Sequence, residues 1–175
     1  MPSLLTSGRS LGDKRSVGGL KAAYFADFGT LGATTIVDGE ITAVAGTPDF
    51  FKYEIKGSSS LETTINSSSE SRSTFYTQAL NLTLPILDKA TQEQIKILAT
   101  VRPHVVVEDY NGKFFLVGLE NGAEVNGGTV VSGAAMGDMS GFTLTMEGME
   151  KYPPYFVTPS VVTDNVSAAV IDPNA

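Results

Sequence analysis

The only imidazole of the chain sits in HVVVED, residues 104–109, four positions ahead of Glu108 and five ahead of Asp109. A histidine beside carboxylates could act as an oriented general base, and with a serine or cysteine nucleophile it would complete an acyl-transfer triad. The spacing argues against this. The segment is valine-rich and reads as a strand, and four residues of strand put His104 and Glu108 about 13 Å apart. No cysteine occurs, and the P-loop and GxGxxG are both absent. His104, between the helix-stopping Pro103 and a valine run, is expected to be structural or exposed, and no catalytic residue is expected.

Metal chemistry finds no better footing. A chain with no cysteine and one histidine cannot build thiolate or histidine-cluster zinc sites. Glu120 and Glu124 flank Gly122 in a turn region, but a calcium loop needs more oxygen ligands at fixed intervals. No metal and no cofactor is expected. The sequons at Asn66, Asn81 and Asn165 are chance matches in a Ser/Thr-rich chain, since the N-terminus MPSLLTSGRSLGDKRSVGG has Arg9, Lys14 and Arg15 but no continuous apolar stretch. No segment nears the roughly 20 apolar residues of a membrane span, so a soluble intracellular product is expected.

The net charge of −7 repels phosphate backbones and excludes a nucleic-acid binder built on a basic stripe. The same acidity would let a polyanion slide past without sticking. Aromatic residues, 9% of the chain with no basic interleaving, offer no platform for stacking bases.

The elements follow from length and pattern. The 175 residues suit one domain with mobile arms, and 18 glycines and 8 prolines among many Thr, Ser and Val favour strands with frequent turns. Residues 1–18 read as a flexible polar arm. Strands are expected at 20–28 and across 34–44, the latter folded at Asp38-Gly39. In FFKYEIKG, residues 50–57, Phe51, Tyr53 and Ile55 lie on one face while Lys52, Glu54 and Lys56 lie on the other.

The block at 58–73 holds eight serines, with Leu61 and Ile65 its only large apolar residues. It reads either as a disordered loop or as a long hairpin arm that orders on a partner. After it, residues 74–86 alternate: Tyr76, Gln78, Leu80, Leu82 and Leu84 form a packing face, and Phe75, Thr77, Ala79, Asn81 and Thr83 mostly a small polar one.

The period then changes to that of a helix at about 88–101, capped by Asp88 or Thr91, with Ile95, Leu98 and Ala99 on one stripe and Pro103 ending it. Residues 104–122 form a hairpin at Asn111-Gly112, whose runs Val105 to Val107 and Phe114 to Val117 suggest burial on both faces. A glycine-rich strand with a turn near Gly137-Asp138 precedes a final strand. There Phe142, Leu144 and Met146 oppose Thr143, Thr145 and Glu147, Gly148 reads as a bulge, and Pro153 and Pro154 end the pairing. Residues 158–175 read as an untidy terminus or as a segment that adds to a neighbour, dispensable for folding.

This order of elements, with DMSGFTLTMEGMEKYPPYFV at 138–157 and SSSLETTINSSSES at 58–71, resembles the tail tube proteins of long-tailed bacteriophages and their relatives in contractile injection systems. The resemblance spans roughly residues 19–157 and is architectural. It implies an antiparallel β-sandwich or barrel with one flanking helix: an N-terminal arm at 1–18, a single domain at 19–157 and a C-terminal arm at 158–175. It also implies a virion structural protein rather than an enzyme, assembled in the host cytoplasm into stacked, hexameric rings. Its partners would be its own copies and other tail proteins, with DNA passing through the lumen without specific binding and no membrane contact.

On that resemblance Ser58, Ser59, Leu61, Ile65, Ser69 and Arg72 would contact the next ring, both arms would lie across neighbours and the helix would sit outside. Thr77, Ala79, Asn81 and Thr83 would face the lumen. Other phage roles, such as head decoration, connector or tail terminator, share this composition. A monomeric ligand- or carbohydrate-binding β-sandwich would instead need a concentrated aromatic patch, which the sequence does not display.

Overall fold

The computed structural model of the chain describes residues 5–55 and 58–174; residues 1–4 of the expected arm, Lys56 and Gly57 of the 50–57 run, and Ala175 lie outside it. In chain order the elements are β1 (Leu20–Ala26), β2 (Thr34–Val37), β3 (Glu40–Val44), β4 (Phe51–Glu54), β5 (Ser60–Ser68), β6 (Ser73–Pro85) and α1 (Lys89–Leu98). There follow β7 (His104–Asp109), β8 (Phe114–Val117), β9 (Glu124–Val131), β10 (Gly141–Glu150), β11 (Tyr155–Val157) and α2 (Pro159–Thr163). They make a mainly β sandwich with a flanking helix. One sheet has seven strands in the order β2-β3-β11-β8-β7-β1-β4, and the other has four, β5-β6-β10-β9.

Alternation along β6 and β10 builds the layer between the sheets. Leu80, Leu82, Phe142, Leu144 and Met146 point inward and meet Ala23, Phe25, Val105, Val107 and Val117 of the larger sheet. Each large aliphatic side chain buried this way stabilises the fold by roughly 1.5–3 kcal/mol. Helix α1 closes one side of this layer with Leu98 and Ile95. Asp88 is its cap, accepting the Thr91 N–H at 2.9 Å, and the helix ends at Leu98 rather than at 101. Residues 99–101 continue as tight turns, with Thr100 and Val101 N–H donating to the Ile97 and Leu98 carbonyls.

Both hairpin signals correspond to hairpins. Asp38 and Gly39 have φ of 52° and 80°, the left-handed pair that a two-residue β2–β3 turn requires. At the β7–β8 turn the Asp109 carboxylate accepts N–H bonds from Asn111 and Lys113, at 3.0 and 2.8 Å.

The larger sheet is covered on its second face as well, by the segment expected to be a C-terminal arm. Val161 and Val162 of α2 pack with Ile41, Val106, Phe114, Leu116 and Val157. Thr158 Oγ1 donates to Glu40 at 2.8 Å, and the strand-like contact of Phe50 with Val166 is held by Phe50 N–H to the Asn165 carbonyl and Ser167 N–H to the Phe50 carbonyl. Residues 158–167 therefore belong to the folded unit. A valine pair carries too little periodicity to show this, because the face it covers is assembled from β11 and from β3, β7 and β8, which are distant in the chain.

Two local expectations change. Gly148 is not a bulge against β6, since the β6–β10 register runs unbroken from Gly141 opposite Pro85 to Glu150 opposite Tyr76. The irregularity lies against β9, between Thr145 and Met146, where Asn126 is the extra residue. In the 50–55 run Phe50 is buried and Phe51 is partly exposed, because β4 is an edge strand and Phe50 turns towards the C-terminal segment. Of the two readings of the serine-rich block, disordered loop or long hairpin, the hairpin is the one found: β5 pairs with β6 over nine positions, Ser60 opposite Asn81 through Ser68 opposite Ser73.

The strand interrupted by Pro153-Pro154 does not stop; it changes sheets. β10 lies in the four-stranded sheet and β11 in the larger one, paired to β8 and, in parallel, to β3. Two consecutive residues without amide donors leave the first ladder at no cost in unmade hydrogen bonds.

Candidate functional site

The four-stranded sheet leaves one face bare. Thr77, Ala79, Asn81 and Thr83 of β6 all lie on it, opposite the buried Gln78, Leu80, Leu82 and Leu84. Register assembles this face in transverse rows. Ser60, Asn81, Thr145 and Gly127 form one row, and Glu62, Ala79, Glu147 and Glu124 form the next. None of the four strands contains Lys, Arg or His. Three glutamates thus cross the sheet in a single row with no cation in the strands beside them, an arrangement that works against sheet stability.

The polar side chains of this face satisfy one another. Thr145 Oγ1 donates to Asn81 Oδ1 at 3.2 Å, Asn66 Nδ2 to Thr77 Oγ1 at 2.9 Å and Asn126 Nδ2 to Glu147 Oε2 at 3.2 Å, while the Thr129 and Thr143 hydroxyls lie 2.6 Å apart. Donors tied up laterally are less available to a passing acceptor. The face is small, polar and acidic.

Among the described residues its two edges are unpaired. β5 and β9 each have a single strand neighbour, and they are nine and eight residues long. Neither carries the lysine or proline with which exposed edges are usually blunted, although the bulge at Asn126 distorts part of β9. Val130 on β9 is 57% exposed.

The residues expected to contact another ring separate into two groups. Ser59 is buried and its Oγ accepts the Thr83 N–H at 3.1 Å, and Leu61 packs against the inter-sheet core, so these two serve the subunit's own fold. Ser58 is exposed, and its carbonyl accepts from Thr83 Oγ1. Ile65, Ser69 and Arg72 lie on or near the hairpin tip, which projects because β10 ends opposite Tyr76 while β5 and β6 continue to Ser68 and Ser73. Ile65 is 68% exposed there, and Arg72 takes a left-handed φ of 54° in the turn.

A second feature, at the end of the sandwich where β1, β8 and β10 finish, was not legible in the sequence. Phe28, His104, Glu120, Tyr152 and Tyr155 line a cleft of about 400 Å³. They come from four separate segments, so no local spacing announces them. The 118–122 turn forms one wall and is pinned from three sides: Gly118 N–H donates to Gln78 Oε1 at 3.0 Å, the Gly118 carbonyl meets His104, and Glu120 and Asn121 N–H donate to the Glu150 carboxylate at 3.2 and 2.9 Å. Gly118 has φ of 72°, and a Cβ there would lie 2.5 Å from the Gly122 carbonyl carbon, so no other residue fits.

Burial pushes the Glu150 carboxyl up from its ordinary value, against the lowering effect of its two N–H donors. Burial also pushes Tyr155 up and His104 down. His104 and Glu108 serve opposite ends of β7: Glu108 accepts from the Tyr24 hydroxyl at 3.0 Å, and burial with that contact raises the phenol to about 12. Among the described residues no group of three or more His, Asp or Glu side chains could hold a metal ion, and no helix is long and apolar enough to cross a membrane.

No protein-family model, no curated protein and no solved structure matches this chain.

Proposed function

We propose that the chain is a self-assembling structural subunit of a phage tail tube, in which copies join through the four-stranded sheet and turn its bare face towards a lumen. The observation that carries this reading is that face: small, acidic, free of cations in its strands, and bounded by two long unpaired edges. Four antiparallel strands make the edges β5 and β9 run in opposite directions. Rotation of one copy onto the next therefore sets β9 beside the neighbour's β5 as a further antiparallel pair, and closing the ring removes both exposed edges of this sheet.

Six copies of a four-stranded sheet would give about 24 strands; at about 4.8 Å spacing and a tilt of about 40°, the barrel would be about 48 Å across between backbones. That lumen admits a DNA duplex. Its glutamate rows offer phosphates no ion pair, so the DNA would pass without a specific site. The projecting tip with Ile65, Ser69 and Arg72 suits contact with the next ring. Such a subunit would be assembled in the host cytoplasm, meet other tail proteins at the tube ends and reside in the virion.

Negative-stain electron microscopy of concentrated protein, beside light scattering over a dilution series, tests the proposal. Rings or hollow tubes are expected. A monomer at every concentration would overturn it in favour of the second reading, a ligand-binding β-sandwich. That reading draws on the aromatic cleft of Phe28, Tyr152 and Tyr155 with Glu120 at its wall.

A further inference from the structure

His104 joins separate segments at the cleft end of the sandwich. Its Nδ1 lies 2.7 Å from the Gly118 carbonyl oxygen, and a carbonyl only accepts, so Nδ1 carries the proton. Gly29 N–H then donates to Nε2 at 3.1 Å, which fixes the neutral tautomer from both sides. Phe28, beside Gly29, stacks on the imidazole with ring centres 5.1 Å apart, and the Arg102 guanidinium lies 4.3 Å from the Phe28 ring centre. The imidazole thereby holds the β1–β2 loop to the 118–122 turn.

We propose that His104 is an acid-sensitive latch: protonation of Nε2 sets an N–H against the Gly29 N–H and releases the loop at 27–33, opening the cleft. The groups around the ring do not relieve this conflict. From the α1–β7 connection Arg102 brings a second positive charge. From the 118–122 turn the Glu120 carboxylate lines the same cleft but is neither hydrogen-bonded nor ion-paired to the imidazole, whose two nitrogens are taken by Gly29 and Gly118. From the β10–β11 connection come the Tyr152 and Tyr155 phenols, and within the β1–β2 loop the Asp27 carbonyl is taken by Thr30. Among the described residues no carboxylate is hydrogen-bonded or ion-paired to the imidazole.

Burial holds the imidazole below its ordinary value of 6.5 in the closed form. An open form with a solvated ring titrates near about 6.5, so opening is favoured as pH falls through that value and levels off below the closed-state value. Between the two, the opening equilibrium rises by up to about tenfold per pH unit.

Hydrogen exchange of the Gly29 amide in the full chain, corrected for the intrinsic rate, reads the opening directly. Between pH 7.5 and 5 it is expected to become at least several-fold less protected, while Val106 and Leu144 in the sheets do not change. His104→Gln, which keeps one donor and one acceptor without a titrating group, is expected to abolish the response. A Gly29 protection flat with pH overturns the latch, as does an equal response in H104Q, which would assign it to another group such as Glu150. Imidazole nitrogen NMR of the unmodified chain gives an independent check: a Nδ1-protonated ring titrating below 6.5 supports the latch, and a midpoint at or above 6.5 overturns it.

Discussion

The two sheets solve the problem of burial in opposite ways. The seven-stranded sheet is covered twice, by the other sheet on one face and by α2 with the chain up to Ser167 on the other. The four-stranded sheet is covered once, and its other face and both edges stay open. A sheet that only had to support a fold would not need nine- and eight-residue edges without a lysine or a proline, nor three glutamates in one row. The contrast teaches that the large sheet is buried on both faces, while the small sheet shares only the inter-sheet core and leaves free the face and edges on which the proposed assembly rests.

The sharpest way to break this comparison is to uncover the large sheet. Removing residues 158–174 exposes Ile41, Phe114, Leu116 and Val157, at a cost of about 5–10 kcal/mol, comparable to a whole domain's stability. The truncated chain is expected to be unfolded by circular dichroism and urea titration; a folded truncated monomer would return the tail to the status of an arm. Between the sheets, Met146→Ala leaves a cavity and is expected to cost about 2–5 kcal/mol, read as a lower urea midpoint with an unchanged slope.

At the cleft, Glu150→Ala strands the Glu120 and Asn121 N–H groups and is expected to cost about 1–3 kcal/mol. Glu150→Gln separates charge from hydrogen bonding. Because the folded-state carboxyl is raised, it takes up its proton sooner than in the unfolded chain, and this group's contribution to stability grows as pH falls through that raised value towards 4.5. The glutamine variant should lose that increment, as a flatter profile of thermal midpoint against pH. On the bare face and at the exposed β9 edge, effects on folding should nearly vanish: Thr145→Ala and Val130→Lys are each expected to stay within about 0.5 kcal/mol of the parent. Val130→Lys should nevertheless abolish tubes in the electron microscope by placing a charge at the β9 edge.

Much of this was legible in the chain. Alternation in residues 74–85 and 142–147 identified both strands and assigned their faces correctly, because a period of two needs no partner to be read. Asp38-Gly39 and Asn111-Gly112 marked their turns for the same local reason. The serine-rich block left two readings open, and the hairpin is the one found. Low hydrophobicity suggested disorder, yet β5 is held by backbone pairing to β6 and by Leu61, which composition underweights.

What sequence alone determined is the class of chemistry and the local elements: no thiol, a single histidine, an acidic chain, alternating strands and one capped helix. Tertiary structure alone decided the rest. Register set Glu62, Glu147 and Glu124 in one row, and the change of sheet at Pro153-Pro154 let α2 cover a face made by distant strands. It also brought Phe28, His104, Glu120 and Tyr152 to one cleft. The physical reason is that alternation depends on neighbours in the chain, whereas register, sheet change and cleft depend on strands and loops far apart in the chain, whose pairing is fixed only when the whole core closes.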